Sequence, residues 1–255
     1  MQMLQPRFFA SLPLPRDADL PIEITLDEKA STHIRVLRLD EADEIAIFDG
    51  AGGEFTASIL AIGKREVRVR LRTHLLVERE SSLQITLVQA LATGDKMDWI
   101  IQKATELGVA AVQPIQTQRA TAKLNAERAE KRAAHWQGVA IAACEQCGRN
   151  RVPMVLPLME FSDWIVRRSD DTRERGLLLD PAASAPLTTR TDNHISPISP
   201  ITLMIGPEGG FAPDEITAAI RHGIETVRFG PRVLRTETAG IAAIAALQAQ
   251  FGDLA

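Results

Sequence analysis

The residues best placed to do chemistry follow two short apolar runs near the end of the chain. Residues 201–210 (ITLMIGPEGG) place Glu208 between glycines, and residues 227–239 (VRFGPRVLRTETA) carry Arg232 and Arg235 just before a helical pattern. A helix dipole disfavours cations at its N-terminus, so two arginines there indicate an anionic ligand such as a phosphate or a developing oxyanion. Glu208 is a candidate to orient a ligand, to cap a turn or to act as a base.

Each of these segments has the pattern of a buried strand that stops at a Gly-Pro pair. Residues 177–181 (LLLDP) end a third apolar run in the same part of the chain. Ligands of open α/β sheets lie beyond the carboxyl ends of the strands, where glycine lets the backbone approach them closely. Two ordinary strand-to-helix turns would give the same pattern, but the polar residues of both loops favour one shared pocket. Its glycines and few cations favour an adenosine-like ligand over a triphosphate.

The last helix is predicted to start with a cap. Thr236 is suited to cap it, and Glu237 is favoured by the dipole in the first turn. The sequence contains no GxxxxGK[ST], no GxGxxG opening a helix, no HExxH and no GxSxG. Their absence argues against a P-loop, a standard dinucleotide site, a zincin and a serine hydrolase.

The first 72 residues are predicted to be β-rich. Alternating apolar patterns predict strands at residues 22–26, 44–48, 54–59 and 67–71, a hairpin turn at 49–53 and a short helix at 31–39. Short strands at this spacing favour a small barrel. Arg68, Arg70 and Arg72 share one face of the last strand, with Lys64 and Arg65 nearby. This stripe could face phosphates, although the spacing alone slightly favours a solvated outer face.

After a polar linker at residues 78–82, strands and helices alternate. Strands are predicted at 83–91, 111–115, 176–179, 201–205 and 225–229, helices at 95–107, 125–147, 161–168, 213–222 and 236–251, and a loop at 181–200. The alternation predicts a mainly parallel sheet covered on both faces. Asp95 is a plausible N-cap of its helix, and Gly108 a plausible C′ residue.

Composition is that of an ordinary globular protein, with 45% apolar and 24% charged residues and a net charge of -4. We expect a cytoplasmic protein that spans no membrane and holds no metal, since no signal-peptide core, long apolar run or ligand cluster is present. The negative charge argues against uniform polyanion binding but permits a local basic face. Cys144 and Cys147 are expected to be reduced, structural or incidental thiols, and the five histidines surface or packing residues.

Several motifs together resemble those of the RsmE family of ribosomal RNA methyltransferases, within the SPOUT superfamily. They run nearly end to end and include GDKMD at residues 94–98, QKATELG at 102–108, EQCGR at 145–149, IGPEGG at 205–210 and LRTETA at 234–239. Small departures from the family pattern occur at Ala42-Asp43, Cys147 and Phe229. The resemblance implies a PUA-like β-barrel over residues 1–74 and a Rossmann-like methyltransferase domain with a trefoil knot over residues 75–255.

The resemblance also implies an activity and its site. The family is expected to methylate uridine N3 in 16S ribosomal RNA, using S-adenosylmethionine, and to act on the 30S subunit as a homodimer. Arg232 or Arg235 would stabilise the uracil anion, and Glu208 or Glu237 would take the proton, provided that the carboxyl pKa is raised. The cofactor would be bound by Leu178, Leu179, Ile205, Gly206, Pro207, Gly209, Gly210, Gly230, Leu234, Thr236 and Ala239. RNA would be bound by Arg7, Arg35, Arg38, Arg68, Arg70 and Arg72.

Two other classes of protein are compatible with the same residues. One is an RNA-binding assembly factor that keeps the fold without catalysis, which need not bind S-adenosylmethionine. The other is a Rossmann-like enzyme of a small metabolite, against which the β-rich N-terminal module with its arginine stripe argues.

Overall fold

The computed structural model describes residues 5–16, 20–168, 174–187 and 200–254. The chain divides into two compact units, one formed by Met1–Glu80 with Cys144–Val152 and the other by Ser81–Ala143 with Pro153–Ala255. The sequence interpretation put the division at residue 74 and assigned all later residues to the second domain. The difference arises from long-range contacts: Asn150 donates to Val77 O, and Arg149 forms an ion pair with Glu80.

The first unit is built on a five-stranded sheet. Its elements are β1 (Arg7–Phe9), β2 (Ile22–Thr25), α1 (Glu28–Val36), β3 (Glu44–Phe48), β4 (Glu54–Ile62) and β5 (Val67–Leu75). The strand order is β1-β3-β4-β5-β2, with β1 parallel to β3 and the other pairs antiparallel. Alternate side chains of β5 enter the core, which also contains Phe8, Ile34 and Phe55. The pattern therefore predicted the strands from residue 22 onward closely, and β1 was not predicted.

The short helix α1 starts three residues earlier than its pattern predicted. Asp27 is its N-cap, and Asp27 Oδ1 accepts a hydrogen bond of 2.9 Å from Ala30 N. The predicted hairpin turn at residues 49–53 joins β3 to β4, and Gly50, Gly52 and Gly53 all have positive φ there. Glycine suits these positions because other residues are strained in that conformation.

The second unit contains a parallel sheet and five helices among its described residues. The elements are β6 (Ile85–Ala90), α2 (Lys96–Glu106), β7 (Ala111–Gln116), α3 (Ala126–Cys147), β8 (Met154–Val155), β9 (Met159–Glu160), α4 (Phe161–Arg167), β10 (Arg175–Leu179), β11 (Ile201–Ile205), α5 (Pro213–Arg221), β12 (Ile224–Val227) and α6 (Thr236–Phe251). The last four residues of α3 belong to the first unit. The order is β12-β10-β11-β6-β7-β8, and β9 also pairs with β7. Every pair in this sheet is parallel, as predicted.

Helices cover both faces of the parallel sheet. On one face, Val88, Leu178 and Met204 pack with Phe161 of α4 and Ala219 of α5. On the other, α6 packs on α2, β6 and β11. The sequence prediction of a sheet covered on both faces is confirmed.

Two predicted capping roles have different outcomes. Gly108 follows α2 with φ +82°, as expected for a C′ residue. Asp95 occupies the N-cap position of α2, but its side chain makes no capping hydrogen bond. Part of the predicted loop at residues 181–200 lies outside the described residues.

Candidate active site

The ends of β10, β11 and β12 surround a cavity of about 690 Å³. Because the strands are parallel neighbours, their carboxyl ends reach the same edge of the sheet. The loops that follow supply the walls, together with the start of α6. Its size lies within the range of small-molecule sites, roughly 300–1,000 Å³. The structure thus brings together the three strand ends that the sequence analysis singled out.

Most of the predicted site residues line this cavity. The lining includes Leu178, Leu179, Ile205, Gly206, Pro207, Gly210, Gly230, Leu234, Thr236 and Ala239 of the expected cofactor residues, and Glu208, Arg232 and Arg235 of the expected catalytic residues. Gly209 and Glu237 are not among the lining residues. A Cβ at Gly209 would lie 3.3 Å from Arg119 Cβ, so this glycine lies against a neighbouring segment.

The glycine loop after β11 leaves space for a ligand. Gly210 has φ +68°, and no atom lies within 4 Å of the position that a Cβ would take. Gly230, in the loop after β12, combines φ +72° with the same open space. Arg119, which also lines the cavity, holds the first loop by donating to Gly209 O at 3.4 Å and to Phe211 O at 3.3 Å. The backbone at both glycines is therefore exposed to the cavity.

Thr236 does not cap α6 as predicted. The N-cap position is taken by Arg235, which makes no side-chain capping bond. Thr236 is buried, donates to Gly206 O at 2.6 Å and accepts from Gln89 Nε2 at 3.0 Å. Its hydroxyl therefore connects the helix to the glycine loop. The sequence pattern could not reveal this role because both partners are distant in the chain.

Lys96 joins the two predicted acidic residues. Its Nζ lies 2.7 Å from Glu208 Oε1 and 3.6 Å from Glu237 Oε2. Thr93 donates to the same Glu208 oxygen through its backbone N and its hydroxyl. Glu208 and Glu237 thus share one ammonium group at the edge of the cavity.

The environment of Glu208 argues against a role as general base. Partial burial pushes its pKa upward, but the hydrogen bonds from Lys96 and Thr93 outweigh burial and lower the pKa to about 2. A general base at neutral pH needs the opposite shift. The carboxylate is instead suited to hold Lys96, whose pKa is raised chiefly by its hydrogen bond to Glu208.

Sequence reasoning missed three cations of the cavity, Lys96, Arg119 and Arg228, so its expectation of few cations there was wrong. The motif at residues 94–98 was noticed, and Lys96 lies within it, so a signal for this residue was present. Arg119 precedes the loop that it holds by about ninety residues, and no spacing rule connects the two.

The six arginines expected to bind RNA belong to the first unit. They differ in how exposed they are and in whether they already contact a carboxylate. Arg7 is only 7% exposed, and its guanidinium bonds to Glu54 and Asn150, so its expected contact with RNA is corrected to a structural role. Arg68 and Arg70 contact Glu23, and Arg72 contacts Glu44, all on the exposed face of β5. The predicted stripe therefore exists but is largely neutralised.

The end of α1 presents a different basic surface. Arg35 donates to Gly63 O, in the turn between β4 and β5, at 3.2 Å. Arg38, Lys64 and Arg65 flank this contact and are exposed. Among the described residues, none of these three side chains forms an ion pair with a carboxylate.

None of the described cysteine and histidine side chains lines the cavity. Burial raises the pKa of the Cys144 thiol to about 12, which makes it a poor nucleophile. His33 and His74 pack against Phe8 and Phe55, His135 pairs with Asp98, and His222 bonds to Ala218 O, whereas His194 lies outside the described residues. Within the described ranges no cluster of side chains is arranged to hold a metal ion. Nor does any described helix have the length and apolarity needed to cross a membrane.

Comparison with known families agrees with this architecture. A family model described as an RNA methyltransferase domain matches residues 79–248, and one described as an RNA methyltransferase PUA domain matches residues 26–72. The fold and the cavity therefore define an RNA methyltransferase with an N-terminal PUA domain.

Individual relatives identify the family within this class of RNA methyltransferases. The ribosomal RNA small subunit methyltransferase E of Buchnera aphidicola is 33% identical over 89% of this chain and 87% of its own, and that of Bacillus subtilis is 30% identical over 96% of both. The chain belongs to the ribosomal RNA small subunit methyltransferase E family, as its motifs predicted.

Two solved structures contain S-adenosylmethionine. The Neisseria gonorrhoeae methyltransferase E has a TM-score of 0.90 and 37% identity, covering 98% of this chain and all of that chain. A Legionella pneumophila methyltransferase in complex with the same cofactor has a TM-score of 0.87 and 36% identity, covering 99% and 100%.

Proposed function

We propose that this protein transfers a methyl group from S-adenosylmethionine to N3 of a uridine in 16S ribosomal RNA. The observation that carries the proposal is the glycine-lined cavity at the ends of β10, β11 and β12, with Arg232 and Arg235 among the residues that line it. Relatives with the same fold that are named for ribosomal RNA methylation, and structures of relatives with the cofactor bound, support it.

The residues of the cavity fit S-adenosylmethionine. Leu178, Ile205 and Leu234 supply an apolar wall suited to an adenine ring. Gly210 and Gly230 leave open the volume that a Cβ would fill, so backbone groups can approach the cofactor closely. When bound, S-adenosylmethionine supplies an electrophilic methyl group on a sulfonium.

The chain's own residues then have to activate the uridine. Uracil N3 carries a proton at neutral pH, and that proton must leave as the N3–methyl bond forms. Arg232 and Arg235 both line the cavity and are exposed to it, so either guanidinium is placed to stabilise negative charge on O2 or O4. Preorganised donors of this kind contribute roughly a hundredfold to a thousandfold in rate.

Of the two predicted carboxylates, Glu237 remains as the candidate proton acceptor, and it would act from beside the cavity because it does not line it. Glu208 is bound to Lys96 and has a low pKa, so we assign it to positioning Lys96. Glu237 lies at the start of α6, two residues after Arg235, and its carboxylate is the more distant of the two from Lys96.

Binding of the RNA is assigned to the first unit. Half-buried Arg35 and exposed Arg38 from the predicted set form, with exposed Lys64 and Arg65, a basic surface that suits phosphates. Arg68, Arg70 and Arg72 remain secondary candidates because a phosphate would have to compete with Glu23 and Glu44. We place the reaction in the cytoplasm on the 30S particle, where this RNA is assembled.

A homodimer is part of the same proposal. The buried side of α6 includes Ala243, Ile244 and Leu247. Its other side carries Ile241, Ala242, Ala245 and Ala246, which are apolar and only half-buried. A helix that is apolar on all sides is usually buried, so a second copy of the chain is a suitable cover for this face.

Methyl transfer to defined RNA tests the proposal. Purified protein and labelled S-adenosylmethionine would be incubated with 30S particles, or with naked 16S RNA, from a strain that lacks the modification. We expect label in the RNA, mapped by mass spectrometry to N3 of one uridine. Calorimetric titration with S-adenosylmethionine accompanies the assay. Cofactor binding without transfer to either RNA would disprove the enzymatic proposal and favour a catalytically silent assembly factor.

A further inference from the structure

A second, smaller cleft lies in the methyltransferase unit beyond the carboxyl ends of β7 and β9. Its volume is about 390 Å³. Its lining includes Thr117, Lys123, Leu124, Glu160, Phe161 and Ser162. The proposed reaction assigns no role to this cleft.

The cleft has a preformed frame. Gln116 Nε2 donates to Ala122 O at 3.1 Å and so closes the loop after β7. The backbone N of Gln118 donates to Glu215 Oε1 at 2.9 Å, and Gln118 Nε2 donates to Asp214. These bonds attach the loop to the start of α5. The walls therefore have defined positions before any ligand arrives.

One polar atom in the cleft has no partner. Thr117 is 3% exposed, and within the described residues its Oγ1 has no hydrogen-bond partner. An unpaired buried hydroxyl is costly, since its lost hydration is not replaced. The loops around it are well bonded, so this unsatisfied buried group indicates a ligand that supplies the missing hydrogen bond.

The cleft is adjacent to the proposed catalytic cavity. Gln118 lines the small cleft, and its neighbour Arg119 lines the cavity. Likewise, Glu215 lines the cleft while Pro213, at the start of the same helix, lines the cavity. The two spaces thus share a wall formed by residues 117–119 and the first turn of α5.

We propose that this cleft binds one nucleotide of the substrate RNA next to the target uridine, an inference that rests on the proposed function. Leu124 and Phe161 offer apolar contact to a base, and the hydroxyls of Thr117 and Ser162 bond to its edge. The Glu160 carboxylate accepts from an exocyclic amino group, and Lys123 suits the phosphate. The chemistry therefore selects a base that carries an amino group.

Two variants with matched controls test the subsite. Thr117→Val removes the hydroxyl at nearly constant shape, and Glu160→Gln removes the charge. Thr121→Val and Glu130→Gln are the controls, because both residues are exposed and neither lines the cleft. Affinity for unmodified 30S particles would be measured by filter binding, KM and kcat by methyl transfer, and cofactor affinity by calorimetry.

We expect each cleft variant to weaken 30S binding and raise KM about fivefold, with cofactor affinity unchanged. Thr117→Val loses one hydrogen bond, and Glu160→Gln weakens one by removing its charge. Thr117→Val should also unfold at the same or a higher temperature, because it deletes an unpaired buried polar group. Binding and KM equal to those of the controls would overturn the subsite, even if the wild type methylates normally. Binding to 30S particles is measured without turnover. A wild type that transfers no methyl group would therefore contradict the proposed function, while the binding measurements would still test the subsite.

Discussion

At the scale of single residues, the ion pair between Lys96 and Glu208 distinguishes the roles of the two predicted carboxylates, Glu208 and Glu237. The low pKa of Glu208 keeps it ionised at neutral pH, so it holds the ammonium and accepts no proton from substrate. Sequence reasoning identified Glu208 but not its partner, because the two lie more than a hundred residues apart. The identity of a residue shows which chemistry is available to it, whereas its pKa depends on neighbours that only the fold brings together.

Glu208→Gln tests the depressed pKa through stability. The folded pKa of about 2 lies below the ordinary 4.5, so the ionised carboxylate stabilises the fold above about pH 4.5. That contribution is lost as pH falls from about 4.5 towards about 2. We expect the wild type to exceed the variant in free energy of unfolding at about pH 7, with the difference shrinking by about pH 3. Urea titrations at several pH values measure it.

Glu127→Gln is the control for that experiment, since Glu127 is 75% exposed and forms only a surface pair with Lys131. Its effect should be small at every pH, because exposed ion pairs contribute little. A difference between wild type and Glu208→Gln that stays constant from neutral to acid pH would show that the pKa of Glu208 is not depressed.

Arg235→Ala tests the stabilisation of the uracil anion. Arg235 is exposed at the N-cap of α6, where the helix dipole does not favour a cation, and it lines the cavity. We expect kcat to fall about a hundredfold, because one donor to the developing charge is lost. Cofactor affinity should change less than about twofold by calorimetry, since the arginine is assigned to the uridine.

Arg221→Ala serves as the matched change, because Arg221 is exposed at the end of α5 and does not line the cavity. It should leave kcat unaltered. If Arg235→Ala loses cofactor binding in proportion to activity, the residue holds the cofactor and the assignment to the uracil anion is wrong.

At the scale of elements, the strands of the site were predictable from local pattern. The run at residues 201–205 is β11 itself, and the run at 176–179 differs from β10 by one residue, because Gly and Pro bound both apolar runs. The two-residue strands β8 and β9 were not predicted. They exist through pairing with β7, and so brief a segment has no periodicity of its own.

The glycine loop after β11 can be tested against a second glycine of the same unit. Gly210 and Gly223 both have positive φ, and neither has an atom within 4 Å of an added Cβ, but only Gly210 lines the cavity. Replacing either by Leu strains the backbone similarly, by about 1–2 kcal/mol. We therefore expect similar losses of stability in urea titrations of both variants.

Cofactor binding should separate the two leucine variants. Gly210→Leu fills the cavity and should abolish binding in calorimetry, while Gly223→Leu should bind like the wild type. In thermal unfolding, saturating S-adenosylmethionine should stabilise Gly223→Leu by about 2.7 kcal/mol at a hundred times Kd and leave Gly210→Leu unchanged. Normal binding by Gly210→Leu would place the cofactor elsewhere.

At the scale of the whole molecule, the sequence predicted the architecture of each unit but not which unit every segment of the chain belongs to. The composition and alternation of elements led to a β-rich first part and a parallel sheet in the second. The return of residues 144–152 to the first unit escaped prediction because it depends on Arg149 and Asn150 bonding to residues far back in the chain. The trefoil knot stays a prediction, since strand order and pairing alone do not define how the chain threads.

The net charge of -4 constrains how this protein binds RNA. A chain of negative overall charge must bind RNA through a local cationic surface. Removing three cations of that surface should therefore weaken RNA binding more than removing three cations elsewhere. The triple change Arg38→Gln, Lys64→Gln and Arg65→Gln removes exposed cations without a carboxylate partner among the described residues. The matched triple Arg68→Gln, Arg70→Gln and Arg72→Gln removes the same charge from side chains that contact Glu23 and Glu44.

The dependence of 30S binding on salt distinguishes the two triples. If three phosphate contacts are lost, the slope of log K against log salt should become shallower by about 2, taking about 0.7 per contact with single-stranded RNA. We expect that change for the first triple. The second should alter the slope by less than half as much, because Arg68 and Arg70 share the Glu23 carboxylate and Arg72 contacts Glu44. Equal slopes for both triples would mean that RNA binding follows total charge. A larger change of slope for the second triple would mean that the RNA binds to the arginines of β5.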